Sequence, residues 1–259
     1  LRGAGQMMRP WVPESFAAQG LHVQCAEQPP QRFQVVGERS SGTNFVKRLL
    51  GRNTGLTPCE ALGWKHGGPQ VLAVPRDLLV VICVRGAADW ALSMHRKPWH
   101  AVPALQALAF GEFLRAPWQS VIDRPRYFDM DNARALVGQP LMADRDPATG
   151  LPYANLAALR RGKLARHLAY LSMHDNVMLV RMEEATRAPD VFLDRALTGL
   201  GLPAREGDVK PVVKRLGSKF KPAGVERPET PGDMAPQDRA WLADHLDGDL
   251  EAALGYALP

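Results

Sequence analysis

The chain has 259 residues, 46% of them hydrophobic, enough to bury a full core as one domain. A formal charge of +5 and a pI near 9.3 favour anionic partners, whether nucleotide, nucleic acid or acidic glycan, and the longest apolar run, Leu78 to Val84, is too short to span a bilayer. Cys25, Cys59 and Cys83 are odd in number and lack metal-ligand spacing, and residues 1–20 carry scattered charge without an apolar block, so a reduced, cytoplasmic setting is expected.

After an N-terminal extension over 1–32, Phe33 to Val36 reads as a buried strand. The loop Gly37-Glu38-Arg39-Ser40-Ser41-Gly42 follows it. A helix over Thr43 to Leu50 comes next, with Phe45, Val46, Leu49 and Leu50 on one face and Gly51 able to end it. This is the pattern of a phosphate cradle. Small residues let the backbone approach an anion, and the free N–H groups of the helix start supply donors and partial positive charge. Leu79 to Val84 predicts a second strand, Ala87 to His95 and Ala104 to Leu114 predict helices, and residues 119–153 form an irregular insertion on the substrate side, with prolines at 125, 140, 147 and 152.

Further along, Asn155 to Met173 predicts a helix whose Leu156, Leu159, Leu164, Leu168 and Leu171 face the core. Its Arg160, Arg161, Lys163, Arg166 and His167 read as a solvated basic face. A strand over Val177 to Val180, a helix over Pro189 to Leu200 and a basic, proline-rich loop over 209–236 complete the chain, the loop carrying Lys210, Lys214, Arg215, Lys219 and Lys221. The expected architecture is a single α/β domain, a P-loop-like parallel sheet flanked by helices. The cradle and Arg85 then lie at the carboxyl edge of the sheet, where such folds bind ligands. Arg85 at a strand end, followed eight residues later by Ser93, can hold one phosphate between a guanidinium fork and a hydroxyl.

With these residues in hand, the chain resembles the sulfotransferases that use 3′-phosphoadenosine-5′-phosphosulfate (PAPS), in a bacterial branch with a G-E-R-x-S-G-T-N loop. Ser41-Gly42-Thr43 matches the family's phosphosulfate-binding core, and Arg85 with Ser93 matches its 3′-phosphate pair in type and spacing. Val180-Arg181-Met182-Glu183-Glu184, with Pro189, Phe192 and Leu193, is similar to its R-Y-E-D-L stretch. The likeness covers most of residues 33–100 and about 177–202. It implies a sulfotransferase-type fold and transfer of a sulfuryl group from PAPS, leaving as adenosine 3′,5′-bisphosphate, to an acceptor hydroxyl, a carbohydrate or glycolipid being the first choice. The implied cofactor contacts are Gly37, Arg39, Ser40, Ser41, Gly42, Thr43, Asn44, Arg85 and Ser93, joined by Lys214 and Arg215 of the basic cluster. In Trp64-Lys65-His66-Gly67, His66 takes the role of base and Lys65 contacts the transferred group, although the same residues also suit a surface turn. Glu38 is the rival base, or else the partner of a cation such as Arg39 or Lys65. His95 and His100 are weaker candidates, one toward the cofactor and one toward the acceptor. Ser40 stands where many members carry a cation, Arg85-Gly86-Ala87 replaces R-N-P, and Met182 replaces an aromatic residue.

Two other classes fit part of the pattern. A P-loop kinase needs G-x-x-x-x-G-K-[ST], and Thr43-Asn44 replaces the Lys-Ser/Thr. A non-catalytic anion-binding module explains the charge but leaves the Arg85/Ser93 pair and Lys65-His66 unused, and there is no nucleic-acid motif. No His/Asp cluster has metal-ligand spacing, so neither a metal nor a nucleic-acid partner is expected, and the oligomeric state is open.

Overall fold

The computed structural model describes residues 11–128, 134–213, 220–224 and 226–259. Its strands are β1 (Leu21–Gln24), β2 (Arg32–Val36), β3 (Thr57–Pro58), β4 (Leu78–Val84) and β5 (Val177–Arg181). They form one sheet in the order β1-β5-β4-β2-β3, parallel throughout except for the antiparallel edge strand β1. The helices are α1 (Phe16–Gln19), α2 (Thr43–Asn53), α3 (Ala87–Arg96), α4 (Pro103–Gln106), α5 (Phe110–Arg115), α6 (Leu156–Leu168), α7 (Tyr170–Met173), α8 (Met182–Arg187), α9 (Pro189–Gly199), α10 (Pro236–His245) and α11 (Gly248–Ala253). The α/β class expected from the alternation of apolar runs is the class observed. Among the described residues no helix is long and apolar enough to cross a membrane.

Period-two alternation in the central strands explains why the sheet is covered on both sides. Leu79, Val81 and Cys83 of β4 join Phe33, Val35, Met178 and Val180 under α2, α8 and α9. Leu78, Val80, Ile82 and Val84 join Val177 and Leu179 under α1, α6, α7 and α11. A third apolar cluster, built on Trp90, Met94, Phe113, Trp118, Leu156 and Leu242, ties α3 and α5 to α6 and α10. Val36 pairs with Ile82 and Val84 with Arg181, so the segments after β2, β4 and β5 emerge on one edge of the sheet.

Several elements depart from the sequence reading. Helix α2 runs through Gly51 to Asn53, where the Asn53 amide donates back to the Leu49 carbonyl. The segment expected to be one helix over Ala104 to Leu114 is two, because Ala109 is extended and the Leu108 carbonyl is taken by the His95 ring. The long helix to Met173 divides at Ala169 into α6 and α7. The segment before residue 33 supplies α1 and the edge strand β1. The basic face of α6 is not solvated: Arg160, Lys163 and His167 are buried, and only Arg161 of the five is exposed.

Candidate functional site

The loop after β2 is built by close backbone approach. Gly37 has φ +147°, and a Cβ there would sit 2.6 Å from the Cys83 carbonyl oxygen, so no side chain fits between β2 and β4. The Gly37 amide donates to Lys65 O at 3.0 Å, and the Ser41 amide and hydroxyl both donate to Glu38 O, at 3.2 and 2.5 Å. Ser40 is left-handed, with φ +65°, and its carbonyl accepts from Arg85 at 3.1 Å. From the other side the indole N–H of Trp90 donates to Arg39 O at 2.9 Å. Gly42, with φ +89°, opens α2 with no side-chain cap, and Met182 packs where a Cβ would go. The Phe45 and Val46 amides donate to Gly42 O at 2.9 and 3.0 Å, which leaves the Thr43 and Asn44 amides at the helix start without an intrahelical acceptor. Thr43 and Asn44 line a cavity of about 650 Å³, together with Ser40, Lys65, His66 and an aromatic wall.

A buried glutamine aims the second half of the site. Gln34 in β2 donates to Gly63 O at 2.8 Å and accepts from the Leu62 amide at 2.6 Å, which fixes the chain entering Trp64-Lys65-His66. Lys65 Nζ donates to Asn44 Oδ1 at 2.6 Å, linking that turn to the helix start. Burial, opposed by Glu60 and assisted by Lys47, brings the Lys65 ammonium down to about 8. The His66 ring lies 2.5 Å from Gly37 O through Nδ1. A carbonyl only accepts, so Nδ1 carries the proton and a neutral His66 presents Nε2 as a lone pair. Burial first, then the charges of Lys65 and Arg39, hold the imidazole well below the ordinary histidine range.

Beneath the loop lies a buried charge cluster that the sequence does not announce. Arg39 Nε and its own amide donate to Glu38 Oε1 at 2.8 and 2.6 Å, and Arg39 Nη1 donates to Asp144 Oδ2 at 2.6 Å. Lys163 Nζ reaches Asp144 Oδ1 at 2.6 Å and donates to His66 O at 2.7 Å and Ala143 O at 2.6 Å. Trp118 and Ser120 add donors to Asp144 Oδ2, at 3.1 and 2.7 Å. Burial acts to raise the Asp144 carboxyl, but the Arg39 and Lys163 charges overcome it and hold the group far below the usual carboxylate range. Glu38 goes the other way, burial pushing it up despite Arg39 and Lys163. Asp144 comes from the irregular insertion and Lys163 from α6, so this cluster fastens both to the cradle.

The structure brings Ser40, Thr43, Asn44, Lys65 and His66 to one cavity, and Arg39 also borders it. The Arg39 side chain is 1% exposed and committed to Glu38 and Asp144, and Glu38 is buried against Arg39, the cation-partner arrangement. Arg85 and Ser93 are half-buried and lie outside this cavity, Arg85 meeting it through Ser40 O while Arg160 donates to Arg85 O at 2.9 Å. His95 is turned away, packed on Phe110 and Phe113 and bonded to Leu108 O and Thr230. His100 lines the cavity, whereas Trp118 is core. Lys214 and Arg215 fall outside the described residues. Gln34, Trp90, Asp144 and Lys163 were not singled out for the site by sequence. A polar residue inside an apolar strand was the one local signal, at Gln34.

Fold and loop together define an α/β protein with a glycine-containing strand–loop–helix, its helix start left uncapped, at the carboxyl edge of a mostly parallel sheet. No protein-family model and no curated protein matches the chain. Among solved structures it is similar to the crystal structure of a sulfotransferase from Alicyclobacillus acidocaldarius, at 14% identity and a TM-score of 0.45, over 89% of this chain and 98% of that one.

Proposed function

We propose that this chain is a sulfotransferase that moves a sulfuryl group from PAPS to a hydroxyl of an acceptor, carbohydrates included, by in-line displacement. The observation that carries the reading is that an uncapped helix start, a lysine and a histidine with an oriented lone pair share one cavity. Their chemistry fits the donor: amide N–H groups of residues 42–44 and the Lys65 ammonium suit a phosphosulfate, and Arg85 with Ser93 suits the 3′-phosphate. PAPS supplies an activated sulfuryl group on a good leaving group. His66 Nε2 takes the acceptor's proton, Lys65 and the loop amides meet the charge that grows on the transferred group, and the rigid loop holds the partners in line. Arg39 keeps the loop in shape from below.

The test is calorimetric titration in EDTA with adenosine 3′,5′-bisphosphate and with ATP, on wild type and Arg85→Ala. Micromolar binding of the bisphosphate alone, weakened at least tenfold in Arg85→Ala, is expected. Preference for ATP, or no binding of either ligand, would refute the reading.

The pH profile of kcat/KM gives a second expectation, because it reports groups of the free enzyme. Activity needs His66 neutral, so it falls only as pH drops through that residue's lowered pKa, well under 6.5. It needs Lys65 charged, so it also falls as pH rises through about 8. Lys65→Arg removes the alkaline limb. An alkaline limb unmoved in that variant would show that Lys65 does not set it.

A further inference from the structure

The cavity is lined by a second oriented imidazole. His100 Nδ1 lies 2.6 Å from Asp123 Oδ1. Burial acts to raise the Asp123 carboxyl, but the hydrogen bond from His100 and the neighbouring Arg124 draw it below the ordinary range, so it is an acceptor and Nδ1 is the donor. In its neutral form His100 then offers Nε2 as a lone pair, as His66 does. The backbone of His100 is left-handed at φ +68°, a conformation costly for a non-glycine residue. It is fixed by the Val121 amide donating to His100 O at 2.8 Å and by the bridge between Ala101 and Ser120. The ring is 4% exposed and edged by Trp64, Tyr127 and Phe128, at centroid distances of 5.8, 6.1 and 5.1 Å. Trp64 also meets the His66 ring, at 5.3 Å, so both imidazoles pack against one indole.

We infer that the His100–Asp123 pair is a specificity element for the acceptor: it accepts a hydrogen bond from a second hydroxyl of a flat, apolar-faced alcohol lying against Trp64, Trp99 and Phe128. This rests on the proposed use of the cavity as an acceptor site. Trp64, Trp99, Tyr127 and Phe128 give the cavity an aromatic lining around His100, with Glu60 and Arg126 as further charged lining residues; the clustered ring faces suit a fused-ring or aryl diol better than a sugar with polar groups all round. A mono-alcohol would leave Nε2 buried without its donor, and sites of that kind discriminate strongly against the analogue lacking the group.

Binding is measured without PAPS, by quenching of tryptophan fluorescence, for 2-naphthol, its 2,3-, 2,6- and 2,7-dihydroxy analogues and methyl β-glucoside. Wild type should bind at least one diol about tenfold more tightly than 2-naphthol, and either naphthol more tightly than the glucoside. In His100→Asn, which tolerates the left-handed backbone, and in Asp123→Ala, which removes the acceptor for Nδ1–H, the diol-to-naphthol ratio should fall to near one. A wild-type ratio near one, a ratio that survives both substitutions, or tighter glucoside binding would overturn the inference. So would variants that keep the ratio and lose only kcat, since His100 would then be acting as a base. Because no donor nucleotide is present, failure here is distinct from failure of the bisphosphate titration.

Discussion

His66→Ala is expected to lower turnover by about 10²–10⁴-fold while adenosine 3′,5′-bisphosphate binding stays within a few-fold of wild type. The side chain does two jobs that a single truncation confounds. Its Nδ1–H ties the Lys65-His66 turn to Gly37 O, and its Nε2 is the lone pair of a residue that lines the cavity. His66→Asn separates them, because an asparagine amide can still donate toward Gly37 O but cannot take a proton near neutral pH. Both variants should lose kcat, and added imidazole should restore part of it in His66→Ala alone. Normal turnover in His66→Asn would remove His66 from the chemistry and leave it a loop anchor.

The second large effect concerns stability. Asp144→Ala is expected to cost about 3–5 kcal/mol, because it strips the shared carboxylate from two buried cations, Arg39 and Lys163, which water cannot reach. Asp144→Asn should cost less than Asp144→Ala but still destabilise, since its one amide oxygen can accept from Arg39 or from Lys163 and its NH2 group cannot accept from the other. The sign of the pH dependence follows from the depressed Asp144 carboxyl. Its contribution is fully present above the unfolded value of about 4 and is lost as pH falls below that toward the folded value. Urea titrations at pH 7 and pH 3.5 read both effects: wild type should weaken between them by more than Asp144→Ala does. A loss under about 1 kcal/mol at pH 7 would mean that the cluster relaxes to let water in. Because Lys163 also holds His66 O, a destabilised cluster should blunt kcat before the protein unfolds.

Much of this site is written locally. The cradle could be recognised because everything it needs is contiguous: an apolar strand, a glycine where the backbone must pass Cys83 O, and a helix start left without a cap. Strands β2, β4 and β5 were legible for a similar reason, since a strand buried on both faces is a nearly unbroken apolar run. Arg85 follows the second of these runs directly, so its place at the sheet edge could be read as well.

What the sequence could not decide depends on partners far apart in the chain. Edge strand β1 is four residues long and gains its order from pairing with β5, about 150 positions away, a contact no local window contains. Lys163, Arg160 and His167 look like a wet basic face by composition. They are buried because α6 is covered on several sides and because Asp144 and Glu251 meet Lys163 and Arg160 there. The proline-rich insertion gives no periodic signal, yet it supplies Asp144 and Asp123, the two carboxylates that orient groups around the cavity. Residue type and spacing determined the glycine-containing turn between strand and helix, the arginine at the strand end and the adjacent Lys-His pair. Tertiary structure alone decided which charges lie under the cradle, because the desolvation and pairing that set a buried charge's state arise only when distant segments pack together.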